Sequence, residues 1–159
     1  MADAGLRRRI APSVPLTLDL EDDSGAKFTR SFKLCFDFNA IALVEDESGY
    51  SLLDGEIWKH PTAKNLSIMF YAAALAQHPE YEGHLDVIRS LMDAGNVEKI
   101  TRALNEAFIN SLPKEKQDVI RKAQSDAEAK GANPTPAPAE TSPAADSNGS
   151  TSGPSLVTT

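Results

Sequence analysis

Two histidines bracket the segment His78-Pro-Glu-Tyr-Glu-Gly-His84, with Glu80 and Glu82 between them. Imidazole and carboxylate together are a donor set that zinc or manganese accepts. The spacing matches no metal motif, and the fold would have to bring in further ligands. A polar loop between two helices accounts for it without a metal. Asp54 and Glu56 are of the type that does general acid and base work, but isolated carboxylates are weak evidence in an acidic chain. Cys35, the single cysteine, sits in a hydrophobic strand and reads as a small buried side chain. No nucleophile-elbow sequence and no Gly-rich phosphate loop is present. The chain is therefore read as a non-enzyme, with no catalytic residue, cofactor site or metal site assigned.

The residues left for function are those that could meet a partner. Glu45, Asp46 and Glu47 close a helix at the end where the backbone dipole prefers cations. Either they form an acidic partner contact, or they merely solvate a surface turn or pair with Lys59 or Lys64. Trp58 is either a core side chain or the anchor of a binding hot spot.

The elements that position these residues follow from pattern. The chain has 159 residues, with 16 Lys+Arg against 23 Asp+Glu and a net charge of -7, enough for one modest core. Such an acidic balance disfavours nucleic acid, whose phosphates call for a basic face. A protein partner fits better. The longest apolar run, Leu66 to Ala76, is broken only by Ser67 and falls short of the about 20 residues a membrane span requires. It reads as a buried helix, with no membrane role. Arg7, Arg8 and Arg9 precede no apolar stretch long enough for a signal peptide.

Val14, Leu16, Leu18 and Leu20 alternate, as do Phe28, Phe32, Leu34 and Phe36 after the turn signal Asp22-Asp23-Ser24-Gly25. This predicts a hairpin with one buried face. Arg30 is in phase with that face, so either its head escapes at an edge or a bulge shifts the register. Asp37 is placed to cap a helix from Phe38 to about Ser48, closed by Gly49, with Phe38, Ile41, Ala42 and Val44 on its apolar side. The connector Tyr50 to His60 should tuck Leu52, Leu53, Ile57 and Trp58 onto the core. Thr62 caps a helix from Ala63 to Gln77 that is apolar nearly all round and hence central.

A short helix carrying Leu85, Ile88, Leu91 and Met92 should end at Gly95. Another begins at Asn96 with Val97, Ile100, Leu104, Ala107 and Phe108 inward, and stops at Pro113. Lys114 to Lys130 reads as a charged helix with only Val119, Ile120, Ala123 and Ala127 as a stripe. It is either a partner-docking element or a frayed end. From Gly131 the chain holds no Lys, Arg or aromatic residue and five of its ten prolines, so it is expected to stay disordered. The expectation is an α+β, mainly α fold: a flexible N-terminal arm over 1–12, a single domain over 13–130 with an N-terminal β-hairpin and a compact bundle of four to five helices, and a tail over 131–159.

Three stretches, FKLCFDFNAIALVEDESGYSLLDG, NLSIMFYAAALAQHPEY and IRSLMDAGNVEKITRALNEAF, together resemble the tail assembly chaperone family of long-tailed bacteriophages and gene transfer agents, members of which are also catalogued as tail tube proteins. The resemblance spans roughly Phe32 to Pro113. It implies a chaperone that acts in the bacterial cytoplasm, binds the tape measure protein, assists tail tube subunits in polymerising around it, and is absent from the mature virion. The alternative is a structural tail or tail tube component. Family members have longer forms made by translational frameshifting, and whether the Pro/Ser/Thr-rich tail stands in for such an extension is open.

Overall fold

The computed structural model describes residues 11–131. Most of the expected N-terminal arm and nearly all of the expected tail lie outside the described residues. The element order is a hairpin of β1 (Val14–Glu21) and β2 (Lys27–Leu34), then α1 (Phe38–Ser48), α2 (Ala63–Leu75), α3 (Leu85–Ser90), α4 (Val97–Ser111) and α5 (Lys114–Gly131). This is the α+β, mainly α arrangement that the patterning predicts.

The strands pair antiparallel without interruption, from Val14 opposite Leu34 to Glu21 opposite Lys27. Asp22 sets the turn. Its Oδ1 accepts from the backbone N–H of Ser24 (2.9 Å) and of Ala26 (3.0 Å) and from the Ser24 hydroxyl. Along β1 burial alternates at every residue. On β2 only Phe32 and Leu34 are buried. Phe28 is 44% exposed, a departure from the expected inward face: it lies near the hairpin tip, on the strand against which α4 packs less than it does against β1. The unbroken register removes the bulge offered for Arg30. Its guanidinium instead leaves the core and lies over the Tyr81 ring, 5.8 Å from the centroid.

A two-stranded sheet leaves two open edges, which natural folds tend to cover. The outer edge of β2 is closed by the His78 ring, whose Nε2 accepts from the Lys33 backbone N–H at 2.9 Å. Just beyond it the Cys35 N–H donates to the Ala73 carbonyl at 2.9 Å. On the inner side Pro15 stands opposite Lys33, a position at which the ladder asks no donor of it.

Asp37 caps α1 as its place in the sequence predicts, Oδ1 accepting from the Ala40 N–H at 2.8 Å. Gly49 ends the helix with φ 76°, its N–H on the Glu45 carbonyl, a left-handed position that glycine occupies at little cost. The buried side of α1 is Ala40, Ile41 and Val44. Phe38 and Ala42, expected inward, are exposed.

α2 is the central helix. Thr62 caps it through the Asn65 N–H at 3.1 Å, and residues Leu66 to Phe70 and Ala72 to Ala74 are buried without a break. It packs against α1, α3, α4 and β2, and Phe70 meets Phe32 edge to face at 5.1 Å. The helix ends at Leu75, two residues short of expectation. Between α3 and α4, Asn96 is buried with its needs met. Its Nδ2 donates to the Leu91 carbonyl at 2.7 Å, its Oδ1 accepts from the Asp93 N–H at 3.0 Å, and its own N–H reaches the Asp93 carboxylate at 2.8 Å. α4 then lays Ile100, Ala103, Leu104, Ala107 and Phe108 against the core.

α5 stands apart from that core. Gln117 ties its first turns to the carbonyls of Asn110 and Leu112, and Arg121 donates to the Asn110 side chain at 2.8 Å. Residues 121–130 are all exposed, and Val119 is 69% exposed.

Candidate functional site

The three acids that end α1 do not act alike. Glu45 bends back over the connector, where its Oε1 accepts from the Leu52 N–H (2.9 Å), the Ser51 hydroxyl (3.0 Å) and the Leu53 N–H (3.4 Å). The Leu52 amide foremost, and then the Ser51 hydroxyl, hold its carboxyl below the ordinary glutamate range. The acid placed against the helix dipole is thus offset by donors supplied from seven residues down the chain. Asp46 and Glu47 are exposed. Neither pairs with Lys59 or Lys64 among the described residues.

Trp58 sits on a short 3-10 turn, Ile57–Lys59, and its ring packs 6.1 Å from that of Phe108. The side chain is half-buried on the core, with its indole Nε1 enclosed and without an acceptor. Tyr50 and His60 stack at 4.4 Å across the same connector. Of the four residues singled out in the sequence, Glu45 and Trp58 hold the Tyr50 to His60 connector in place, while Asp46 and Glu47 face solvent.

The histidine loop is committed elsewhere. His78 accepts from Lys33 at Nε2 and faces Glu80 Oε1 at 3.2 Å through Nδ1, so both ring nitrogens are occupied. His84 is exposed. Among the described residues no group of three His, Cys, Asp or Glu converges on a metal position.

A different feature emerges where β2 runs into α1. Phe38, 77% exposed, and Leu53, 51% exposed, line one groove together with Ile41, Ala76, Leu112 and Pro113. Ala11 and Asp37 also border it. Two large apolar side chains facing water in one concave surface, beside the α4-to-α5 junction, form the kind of patch that marks an interaction site. Sequence reasoning had placed both in the core. Their one readable signal was that Phe38 occupies the first position of a helix whose buried side is set by Ala40 and Val44.

No family model, curated protein or solved structure matches this chain. The arrangement itself supports binding more readily than chemistry. It offers an apolar groove rimmed by a carboxylate, an exposed helix alongside, and a connector locked by Glu45 that fixes where Leu53 stands. No helix among the described residues is long and apolar enough to cross a membrane.

Proposed function

We propose that this protein is a tail assembly chaperone that binds the tape measure protein of a long-tailed phage or gene transfer agent in the bacterial cytoplasm, and assists assembly of tail tube subunits around it. The reading starts from the family resemblance over Phe32 to Pro113. The observation that carries it is the exposure of Phe38 and Leu53 in one groove. A long helical client presents apolar residues at turn-spaced intervals, and such a row fits a hydrophobic groove. An acidic carrier, net charge -7, keeps such a complex in solution. The same reading makes the protein a binder without catalysis or cofactor.

Co-expression tests it. A tape measure protein that is insoluble alone should become soluble and co-purify with this chain, and Phe38→Asp should remove both effects while the variant itself stays folded. A client that neither gains solubility nor co-purifies would overturn the proposal. Retention of this chain in purified particles would point to the structural tail component instead.

A further inference from the structure

The two strands of the hairpin turn opposite chemistry toward their outer edges. In an antiparallel ladder, facing pairs alternate between those that exchange two N–H···O bonds and those that exchange none. The Asp22 N–H donates to the Ala26 carbonyl at 3.0 Å, so the alternation makes Leu20–Phe28, Leu18–Arg30 and Leu16–Phe32 the bonded pairs. Lys27, Thr29, Ser31 and Lys33 then turn their N–H and C=O groups away from β1. The Lys33 and Cys35 N–H groups keep this phase, reaching His78 Nε2 and the Ala73 carbonyl at 2.9 Å each. Those two bonds close only the end of the edge nearest α1. From Lys27 to Ser31 the outward backbone has no partner among the described residues, and all five residues are exposed.

Charge sets the two edges apart. β2 carries Lys27, Arg30 and Lys33 and no acid. β1 carries Asp19 and Glu21 and no base, and Pro15 removes one of its outward donors. Lys27 and Arg30 form no ion pair among the described residues. On the strand face turned to the helices, Phe28 stays uncovered two residues from Arg30. An open edge takes up an added strand through its main chain, and alternate side chains supply the selectivity. Basic side chains on such an edge deter a like-charged strand and favour an acidic one.

We propose that the β2 edge from Lys27 to Ser31 binds an extended acidic segment of a partner protein, which joins the hairpin as a third, antiparallel strand. Lys27, Thr29 and Ser31 exchange the backbone bonds with it, and the His78 ring on Lys33 ends the pairing. The segment's residues facing Arg30 and Lys27 are acidic and the one facing Phe28 is apolar. Read from its own N-terminus, the segment therefore runs acid, any residue, apolar residue, acid. This edge shares no residue with the Phe38 groove. Failure of a tape measure protein to co-purify would leave the edge site standing, and failure of the edge site would leave the chaperone reading standing.

The probe is the peptide acetyl-Gly-Thr-Glu-Val-Phe-Glu-Gly-amide, titrated into the isotope-labelled full chain. Amide signals of Lys27, Thr29 and Ser31 should shift and their hydrogen exchange should slow, while exchange at Phe28 and Arg30, already bonded to β1, should change little. Lysine in place of both glutamates, or proline in place of the valine that faces Thr29, should each weaken binding about tenfold or more. In the protein, Thr29→Pro removes only an outward donor and should abolish binding with the core signals unchanged. Lys27→Glu/Arg30→Glu should reverse the preference toward the lysine peptide, and it decides alone if Thr29→Pro unfolds the hairpin. Unmoved edge amides at millimolar acidic peptide, equal binding of the lysine peptide, or binding that survives Thr29→Pro in a folded chain overturns the proposal. Edge amides that shift with protein concentration alone overturn it as well, and make a second copy the occupant.

Discussion

Glu45 accepts a hydrogen bond from the Leu52 backbone N–H at 2.9 Å, and through that bond the last turn of α1 holds the connector to α2. Leu52 is fully buried while Leu53, the next residue, is 51% exposed. The carboxylate thus fixes which of two adjacent leucines enters the core and which faces the groove. Removing it should loosen the connector. Glu45→Ala is expected to lower the melting temperature and to speed amide hydrogen exchange at Leu52 and Leu53. Glu45→Gln, which keeps one acceptor oxygen, should fall between the two. Unchanged exchange at Leu52 in the alanine variant would disprove the clamp.

The same bonds give stability a dependence on acid. Glu45 has its carboxyl held below the ordinary value chiefly by the Leu52 amide, Asp22 by the Ser24 hydroxyl, and Glu80 by its own backbone N–H ahead of the His78 ring. A group whose folded-state value is lowered favours the folded form fully above its unfolded value, about 4 for these acids. That contribution fades as pH falls through the lowered folded value. Melting temperature should therefore be flat near neutrality and drop below about pH 4. The curves of wild type and Glu45→Ala should converge in acid. Parallel curves down to the lowest pH would show that Glu45 carries no such linkage.

Much of this fold is readable from short-range rules. The Asp37 and Thr62 caps, the Gly49 stop, the hairpin turn and the core face of α4 all depend on residues within about one helical turn of each other. What escaped were contacts made across longer separations. Glu45 looks misplaced when judged against its own helix, because its donors lie beyond Gly49 in the connector. Phe38 looks internal because it stands three residues from Ile41, yet the direction of the buried side is set by α2, which packs on α1. His78 reads as part of a polar loop, and its tie to the Lys33 N–H shows only once β2 is placed beside it. The candidate groove was missed for the same reason: Phe38, Leu53 and Leu112 come from three separate segments and share a surface only after packing.

His78 closes the edge of β2 and packs edge to face on Phe32 at 5.4 Å. Truncation to alanine removes both the acceptor for Lys33 and the ring contact. With water able to reach Lys33, the cost should be about 1 kcal/mol. Urea titration of His78→Ala measures it, and zinc added to the wild-type protein should leave the transition where it was. A zinc-dependent rise in stability that His78→Ala abolishes would restore the metal reading of this loop.

Asn96 is the more sensitive polar residue. Its side chain serves the Leu91 carbonyl and the Asp93 N–H inside the α3-to-α4 turn, and both lose their partner in Asn96→Ala. Leaving the buried Leu91 carbonyl unpaired costs on the order of 1 to 3 kcal/mol, whereas water can reach the N–H of exposed Asp93. Chemical denaturation should show that loss. Asn96→Asp keeps the acceptor for Asp93 but sets a second carboxylate beside it, so it should be destabilised too and more so above the carboxylate range. A neutral result for Asn96→Ala would mean that the turn can reorganise around water.

Charge reversal separates the two roles within the acids of α1. Asp46 and Glu47 are exposed at the helix end where the dipole favours cations, so Asp46→Lys/Glu47→Lys should leave the melting temperature unchanged or slightly raised. Glu45→Lys should lower it, because the Leu52 and Leu53 amides then face an ammonium instead of a carboxylate. If the exposed pair also contacts a tape measure protein, the double lysine variant will co-purify less of it without loss of stability. The Glu45 variant would lose client through misplacement of Leu53, and that loss should track its melting temperature across Ala, Gln and Lys. Equal client binding by the double lysine variant and wild type would remove Asp46 and Glu47 from the interface and leave the groove between Phe38 and Leu53 as the binding surface.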